Sequence, residues 1–436
     1  MEQARRSLDD GSIVRQEDID NASHLTAAQS TNLGNALSRA WGLYKETSQG
    51  RSEQDYRRDI LERTSDSIRI SLRKPNISSF TTKRTSPTTF VIQERDAYKE
   101  HPLIYAKLHP KADVVVLTDT GCDEPDEQHK TARYIHLREY LEHCPVSANH
   151  DKPINPDGKR RYIIIQTHCH YDHTFGIPQF LSSHGIEIVA SAAGRDFFES
   201  DLTRNGEFEH TGRPTPDYQV SKWAEAFEQL KYPFHQVDED RHVEVDMGMT
   251  VLHTPGHTPD ELAWYDHEEM HLYVGDSFYR EGEDGLPIIF PVKGSLIEWV
   301  FSMQKLAVFV RGENARAASV VATSEQTTES DEDDWVHIPQ PTKARRVLVS
   351  CAHQTYAVDS ADVLAELEAF SFQCFIGKVP VVDSQTLRGE TFDTWREKGD
   401  DRTPMSIQAP RRLMEEARKF FGSRPGDASR MPFVWE

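Results

Sequence analysis

One short segment concentrates side chains that bind metal ions. In sequence it reads His168-Cys169-His170-Tyr171-Asp172-His173. It follows an apolar run at 162–165 that predicts a buried β-strand. Alternate residues of an extended chain point to the same side, so His168 and His170 can converge on one point, while Asp172 and His173 can turn toward a second point nearby. Imidazole and carboxylate groups suit zinc, iron or manganese, so the segment predicts a metal site.

Four further segments share one arrangement, in which a β-type run ends in a turn of small residues that carries a potential ligand. The potential ligands are Asp119, His257, Asp276 and His353. Small neighbours such as Gly256 and Gly275 allow the backbone to approach a site closely and hold the turn. The pattern therefore indicates that separate strand ends contribute to one site.

Taken together, the five segments resemble the metallo-β-lactamase superfamily in order and in character, over about residues 86–382. The resemblance implies an α+β fold, the αββα sandwich, in which two mixed β-sheets pack face to face and helices cover the outer faces. The predicted elements agree with this, because β-runs come first and helices are interspersed singly, unlike in a doubly wound parallel sheet.

The resemblance also implies seven ligands for two metal ions. The first ion would be bound by His168, His170 and His257, the second by Asp172, His173 and His353, and Asp276 would bridge both. Asp119 corresponds to an early aspartate of the family, which orients the ligands rather than binding metal. Such a carboxylate fixes the tautomer of a ligating imidazole and raises its basicity.

Two Zn²⁺ ions are the implied cofactors, with iron or manganese as alternatives. Two such ions can share a hydroxide from an acidified water, which attacks a carbonyl or phosphoryl centre. Asp172 would handle a proton for the leaving group. The sequence is therefore interpreted as an enzyme, a dinuclear metal-dependent hydrolase of the lactonase or glyoxalase-II-like branch. Its substrate would be an ester, lactone or thioester of a small organic molecule.

One tyrosine favours the lactonase interpretation. Tyr279 stands three residues after Asp276, where quorum-type lactonases of the superfamily look similar. Their tyrosine hydrogen-bonds the lactone carbonyl or the oxyanion that forms from it, and a phenol donor stabilises such charge. The alternative is that Tyr279 packs beneath a loop.

Other reactions of the superfamily remain open. A mononuclear-iron persulfide dioxygenase shares much of the His-x-His-x-Asp-His pattern. A nuclease or phosphodiesterase is less favoured, because no large extra domain separates Asp276 from His353. The net charge of −21 also opposes nucleic-acid binding, since phosphate contacts need Lys and Arg. The expected partner is a small-molecule substrate and not a nucleic acid.

Cysteine usage and hydropathy indicate the compartment. The five cysteines, at positions 122, 144, 169, 351 and 374, form no CxxC pair, which is typical of reduced thiols in an intracellular protein. No apolar stretch approaches membrane-spanning length, and no secretory signal is recognised. The expected location is cytoplasmic, away from membranes, and a homodimer is left open.

Composition divides the chain into three parts. Residues 1–85 are polar and predict a largely disordered N-terminal tail. Residues 86–382 form the predicted catalytic domain, which is interrupted by an acidic low-complexity insertion at about 312–345. Residues 383–436 form a C-terminal extension with a helix, and a further helix is predicted around 221–230.

Two acidic residues follow the His257 turn, where the family more often has small ones. Asp260 and Glu261 are expected to place negative charge near the first metal position. Anionic substrates would then be disfavoured.

Overall fold

A seven-stranded β-sheet supplies one half of the centre of the fold. The computed structural model describes residues 77–183, 185–236, 241–280, 285–327, 344–387, 389–397 and 405–422. In this sheet the strands lie side by side in chain order. They are β1 (Phe80–Arg84), β2 (Thr89–Glu94), β3 (Leu103–Leu108), β4 (Val114–Thr118), β5 (Arg161–Ile165), β6 (Glu187–Ser191) and β7 (Lys222–Ala224). Strands β1 to β4 pair antiparallel and β4 to β7 pair parallel, so the parallel strands end at one edge.

A second sheet of six strands supplies the other half. Its strands are β8 (Gln229–Gln236), β9 (Arg241–His253), β10 (Leu262–Asp266), β11 (His271–Tyr273), β13 (Leu348–Ser350) and β14 (Val358–Asp359). Their spatial order is β14-β13-β11-β10-β9-β8. Strands β11 and β13 pair parallel, so the segments that follow these two strands leave the sheet at the same edge.

A smaller third sheet was not predicted from the sequence. It consists of β12 (Ile288–Ile289), β15 (Val381–Leu387), β16 (Glu390–Arg396) and β17 (Ser406–Pro410). In space the order is β12-β17-β16-β15. Three of its four strands come from the segment 383–436 or begin just before it, so the described part of this segment belongs to the folded unit.

The helices are distributed between the strands. They are α1 (Leu137–His143), α2 (Tyr171–Thr174), α3 (Arg195–Ser200), α4 (Leu202–Asn205), α5 (Leu296–Thr327), α6 (Ser360–Phe375) and α7 (Arg411–Gly422). Short 3₁₀ helices cover Ser147–Asn149, Pro156–Gly158, Ile177–Phe180 and Phe208–His210. Within the described residues, no helix is long and apolar enough to cross a membrane.

The core confirms the predicted αββα sandwich. One apolar cluster lies between the two large sheets, where Val116 and Ile165 of the first face Trp264 of the second. A second cluster packs the outer face of the first sheet against α1 through Leu141. A third packs the outer face of the second sheet against α5, α6 and α7, with Leu367 among its buried members. Burial on both faces explains why strands such as β5 are continuously apolar.

Several predicted boundaries differ from the structure. Strand β1 lies inside the segment 1–85 that was predicted as a tail, whose first 76 residues lie outside the described ones. Helix α5 continues to Thr327, well into the predicted insertion at 312–345, of which 328–343 lie outside the described residues. The predicted helix at 221–230 is wrong, because β7 and the start of β8 occupy this stretch.

Candidate metal centre

The candidate site begins at the edge where the parallel strands β4 and β5 end. Asp119 follows β4 directly, and His168 comes three residues after β5. Because the two strands are parallel neighbours, these residues emerge side by side. Helix α2 starts immediately after His170 and holds Asp172 and His173 on a single turn.

Loops of the second sheet supply the other side chains. His257 lies in the turn after β9, Asp276 after β11 and His353 after β13. The parallel pairing of β11 with β13 places Asp276 and His353 near each other. The structure thus gathers all seven predicted ligands into two adjacent clusters, with Asp119 beside them.

Three buried imidazoles form the first cluster. Nε2 of His168 lies 2.9 Å from Nδ1 of His170, and Nε2 of His257 lies 3.0 Å from the same atom. Nδ1 of His257 donates to the carbonyl oxygen of Ile289 at 2.7 Å, so in the neutral ring the lone pair of Nε2 faces the cluster. Burial and the neighbouring imidazoles lower the pKa of His168 well below its usual range and that of His257 to about 4. His168 and His257 therefore offer neutral nitrogen donors to the cluster.

Two carboxylates and two imidazoles form the second cluster. Nε2 of His173 lies 3.2 Å from Oδ2 of Asp172, and Nε2 of His353 lies 3.4 Å from that oxygen. Nε2 of His353 is also 3.4 Å from Oδ1 of Asp276. Burial opposes charge on both imidazoles, but the carboxylates outweigh it and hold the pKa of His173 and His353 well above the usual range. The same carboxylates that favour protonated rings here would also attract a cation to this position.

Asp276 joins the two clusters. Its Oδ2 lies 3.7 Å from Nε2 of His257 in the first cluster and 3.5 Å from Nε2 of His173 in the second. Burial would raise the pKa of this carboxyl, but His353 and His173 hold it well below its usual range. One ionised carboxylate therefore contacts nitrogen donors on both sides.

Hydrogen bonds from behind orient the imidazoles of the second cluster. Nδ1 of His173 donates to Oδ2 of Asp119 at 2.8 Å. Asp119 also accepts from the backbone N–H and the hydroxyl of Thr167, each at 2.8 Å. Nδ1 of His353 donates to the carbonyl oxygen of Glu100 at 2.9 Å. Both rings are thereby turned with Nε2 toward the cluster centre.

The geometry of the two clusters fits metal ions. In each cluster one ligand atom per residue lies within 4.8 Å of all the others. Nε2 of His173 and Oδ1 of Asp276 are buried without a hydrogen-bond partner. An unpaired buried polar atom costs about 1–3 kcal/mol, and a bound cation would remove that cost. A set of imidazoles and carboxylates suits zinc, and also iron or manganese.

The opposite pKa shifts of the clusters predict pH-dependent loading. His168 and His257 have lowered pKa values and are already neutral, whereas His173 and His353 must release protons before they bind metal. We expect zinc binding to the second cluster to strengthen as pH rises, because proton release then becomes easier. Equilibrium dialysis over a series of rising pH values should show about one zinc per chain first and a second zinc only at higher pH. Loss of both equivalents over the same pH range would contradict this expectation.

Sequence reasoning missed one contributor, Glu100, and left two interpretations of Tyr279 open. Glu100 had no motif to mark it, because its contribution to His353 is a backbone carbonyl. The Tyr279 ring lies 5.5 Å from that of His353, but it is buried and its hydroxyl donates to the carbonyl oxygen of Pro287 at 2.8 Å. The phenol proton is thus engaged within the protein, and the lactonase-type role gains no support from this geometry.

A family model matches the middle of the chain, where much of the two large sheets and most of the predicted ligands lie. Residues 111–310 match the model described as the metallo-β-lactamase superfamily. The matched range contains six of the seven predicted ligands and Asp119, while His353 lies beyond it. The matched residues 111–310 are similar to the metallo-β-lactamase superfamily, whose members bind metal ions and are largely metal-dependent hydrolases.

Three related proteins carry different functional names. The putative transcription factor avaE of Aspergillus versicolor is 27% identical over 328 residues, which cover 75% of this chain and 84% of that protein. The acyl-coenzyme A thioesterase MBLAC2 of Homo sapiens is 28% identical over 154 residues, or 34% of this chain and 49% of the thioesterase. The hydroxyacylglutathione hydrolase GloC of Haemophilus influenzae is 26% identical over 121 residues, or 28% of this chain and 51% of the hydrolase. The chain thus aligns with about half the length of each hydrolase.

Proposed function

We propose that this protein is a dinuclear metal-dependent hydrolase that cleaves a thioester, or a related ester or lactone, of a small organic molecule. The observation that carries the proposal is the position of Asp276 between two buried donor clusters. A carboxylate shared in this way fits two adjacent cations better than one. Zinc is the proposed metal, with iron or manganese as alternatives.

Bound metal ions would supply an acidified water and polarise the carbonyl of the substrate. The chain's own residues would position these partners and move the proton. Oδ2 of Asp172 lies within 3.4 Å of both His173 and His353, at the centre of the second cluster. We assign it the role of accepting the proton of the water and passing it to the leaving thiolate or alkoxide.

The thioester is preferred over the lactone for three reasons. Two related hydrolases have names that describe the hydrolysis of a thioester. They are the acyl-coenzyme A thioesterase and the hydroxyacylglutathione hydrolase. The lactonase interpretation depended on Tyr279, whose proton is donated to Pro287. A thiolate also leaves more easily than an alkoxide, so the reaction needs less help from a general acid.

The name of the Aspergillus versicolor relative is not carried over to this chain. A transcription factor needs a surface that neutralises phosphates, and the net charge of −21 opposes one. We therefore propose a small-molecule substrate and no nucleic-acid partner. The five cysteines are free thiols, in agreement with a proposed cytoplasmic location. A homodimer stays a prediction.

The test combines metal analysis with a substrate panel. Protein purified without chelator should contain about two zinc per chain and should hydrolyse at least one of an acyl thioester, an aryl ester and a lactone. The His168→Ala variant should lose this activity while its circular dichroism spectrum is retained. Two bound zinc ions with no hydrolysis across the panel would overturn the proposal. One iron per chain with oxygen consumption on a persulfide would favour the dioxygenase instead.

A further inference from the structure

Lys293 lies in a loop that wraps around the backbone of His257. The backbone N–H of Ser295 donates to the carbonyl oxygen of Gly256 at 2.7 Å. A Cβ atom at Gly294 would lie 2.9 Å from the carbonyl oxygen of His257. The residue next to Lys293 thus packs directly on the turn that carries a predicted ligand of the first cluster.

The ammonium group of Lys293 is held on the opposite side by a buried amide. Its Nζ donates to Oδ1 of Asn205, a side chain that is 2% exposed. Nδ2 of Asn205 donates in turn to the carbonyl oxygen of Phe197 and to the Ser200 hydroxyl. The ammonium also lies 5.7 Å from the centre of the Phe197 ring. Its position is therefore fixed by the fold.

Asn205 stands beside the histidine-rich segment. The carbonyl oxygen of the next residue, Gly206, accepts from the backbone N–H of Tyr171 at 2.9 Å. The Lys293 side chain therefore spans from the loop of His257 to the segment that follows His170. A positive charge is therefore placed beside the two segments that carry His257 and His170, and this edge of the site is called the rim below.

This charge is exposed and is not neutralised by the described part of the protein. Among the described residues, no carboxylate oxygen lies within 4.0 Å of Nζ of Lys293, and the residue is exposed. Two other lysines differ in this respect: Nζ of Lys107 lies 2.6 Å from Oδ2 of Asp266, and that of Lys222 lies 2.5 Å from Oε1 of Glu228. An ammonium has three donors, and Asn205 takes one of them, so donors remain for an anion.

The acidic residues after His257 do not oppose an anion at this rim, contrary to the expectation from sequence. Asp260 is 4% exposed and Glu261 is fully buried. Oε1 of Glu261 accepts from the Ser277 hydroxyl at 3.2 Å, behind the second cluster. Burial also raises the pKa of both carboxyl groups and so disfavours their charged forms. The two carboxyls are therefore buried and present little negative charge at this edge, whereas the Lys293 ammonium is exposed.

We propose that Lys293 binds an anionic oxygen group, a carboxylate or a phosphate, on the substrate of this hydrolase. The inference rests on the proposed thioester hydrolysis and narrows its substrate to thioesters whose thiol carrier is negatively charged. A hydrogen bond to a charged group contributes about 1.5–3 kcal/mol, so loss of the ammonium should weaken binding about ten-fold or more.

The test compares three thioesters that share one acyl group and differ in the thiol. Coenzyme A offers phosphates, glutathione offers carboxylates, and N-acetylcysteamine is uncharged. Lys293→Ala should raise KM about ten-fold for one or both anionic thioesters while kcat and the neutral thioester stay unchanged. Lys293→Arg should restore most of the loss, and Lys222→Ala should serve as a charge-matched control without effect. Equal loss on all three thioesters, or no loss on any, would overturn the role of Lys293.

A binding measurement separates this inference from the proposed function. Calorimetry with S-methyl-coenzyme A and S-methylglutathione needs no hydrolysis. We expect at least one of them to bind the wild-type protein about ten-fold more tightly than Lys293→Ala, with the difference shrinking at high salt. If the protein showed this difference in affinity but hydrolysed no thioester, the anion site would be supported and the proposed thioester hydrolysis would be contradicted. If the wild-type protein and Lys293→Ala bound both compounds with the same affinity, the proposed anion site would be contradicted.

Discussion

The Asp276→Asn variant is expected to lose at least one equivalent of bound metal and to hydrolyse its substrate at least about 10³-fold more slowly. The carboxylate lies between 3.4 and 3.7 Å from nitrogens of His353, His173 and His257. Asparagine keeps the shape of the side chain but removes the negative charge, which would attract one cation to each of the two clusters. Metal content by mass spectrometry and steady-state kinetics on the same preparation measure the two effects.

An acidic residue on the surface provides the matched control. Asp246 is exposed on β9, and the same change, Asp246→Asn, removes one negative charge far from either cluster. This variant should keep two metals per chain and full activity. If Asp276→Asn also kept both, the carboxylate would not be shared between two metal positions, and the dinuclear proposal would fail.

The positions of the predicted ligands could be found because each one follows a strand. The apolar runs of β4, β5, β11 and β13 mark buried strands, and small residues mark their ends. Contacts between distant loops carry no such mark. Lys293 and Asn205 are 88 residues apart, and only folding brings them to the same rim. The bond from His353 to Glu100 joins residues 253 positions apart through a backbone carbonyl, which any residue could supply.

The errors in the predicted fold have a related cause. The stretch 221–230 contains Ala, Glu, Gln and Leu, which favour a helix locally, but pairing of β7 with β6 overrides that preference. The third sheet joins Ile288 of β12 to Ile407 of β17. Neither short segment has a sequence pattern that would predict this pairing. Residues 312–327 belong to α5, but they were predicted as part of the insertion because an acidic stretch follows them directly in the sequence.

The backbone at Gly256 should tolerate no side chain. A Cβ atom there would lie 2.5 Å from Cα and 2.8 Å from the backbone nitrogen of Trp299, at a φ of +154° that other residues rarely adopt. Trp299 cannot easily retreat, because it is 1% exposed and its Nε1 donates to the carbonyl oxygen of Ser277 at 2.6 Å. We expect Gly256→Ala to lower the free energy of unfolding by about 3 kcal/mol. It should also displace His257, the next residue, and weaken metal binding to the first cluster.

A glycine in α5 provides the control for this substitution. A Cβ at Gly312 would meet no atom within 4 Å, so Gly312→Ala should stabilise the protein by about 0.5–1 kcal/mol through helix propensity. Urea unfolding of both variants without metal, followed by zinc titration, separates packing from metal binding. If both variants unfolded at the wild-type midpoint, α5 would be free to move away from the Gly256 turn. The close contact with Trp299 would then not be what holds His257 in the first cluster.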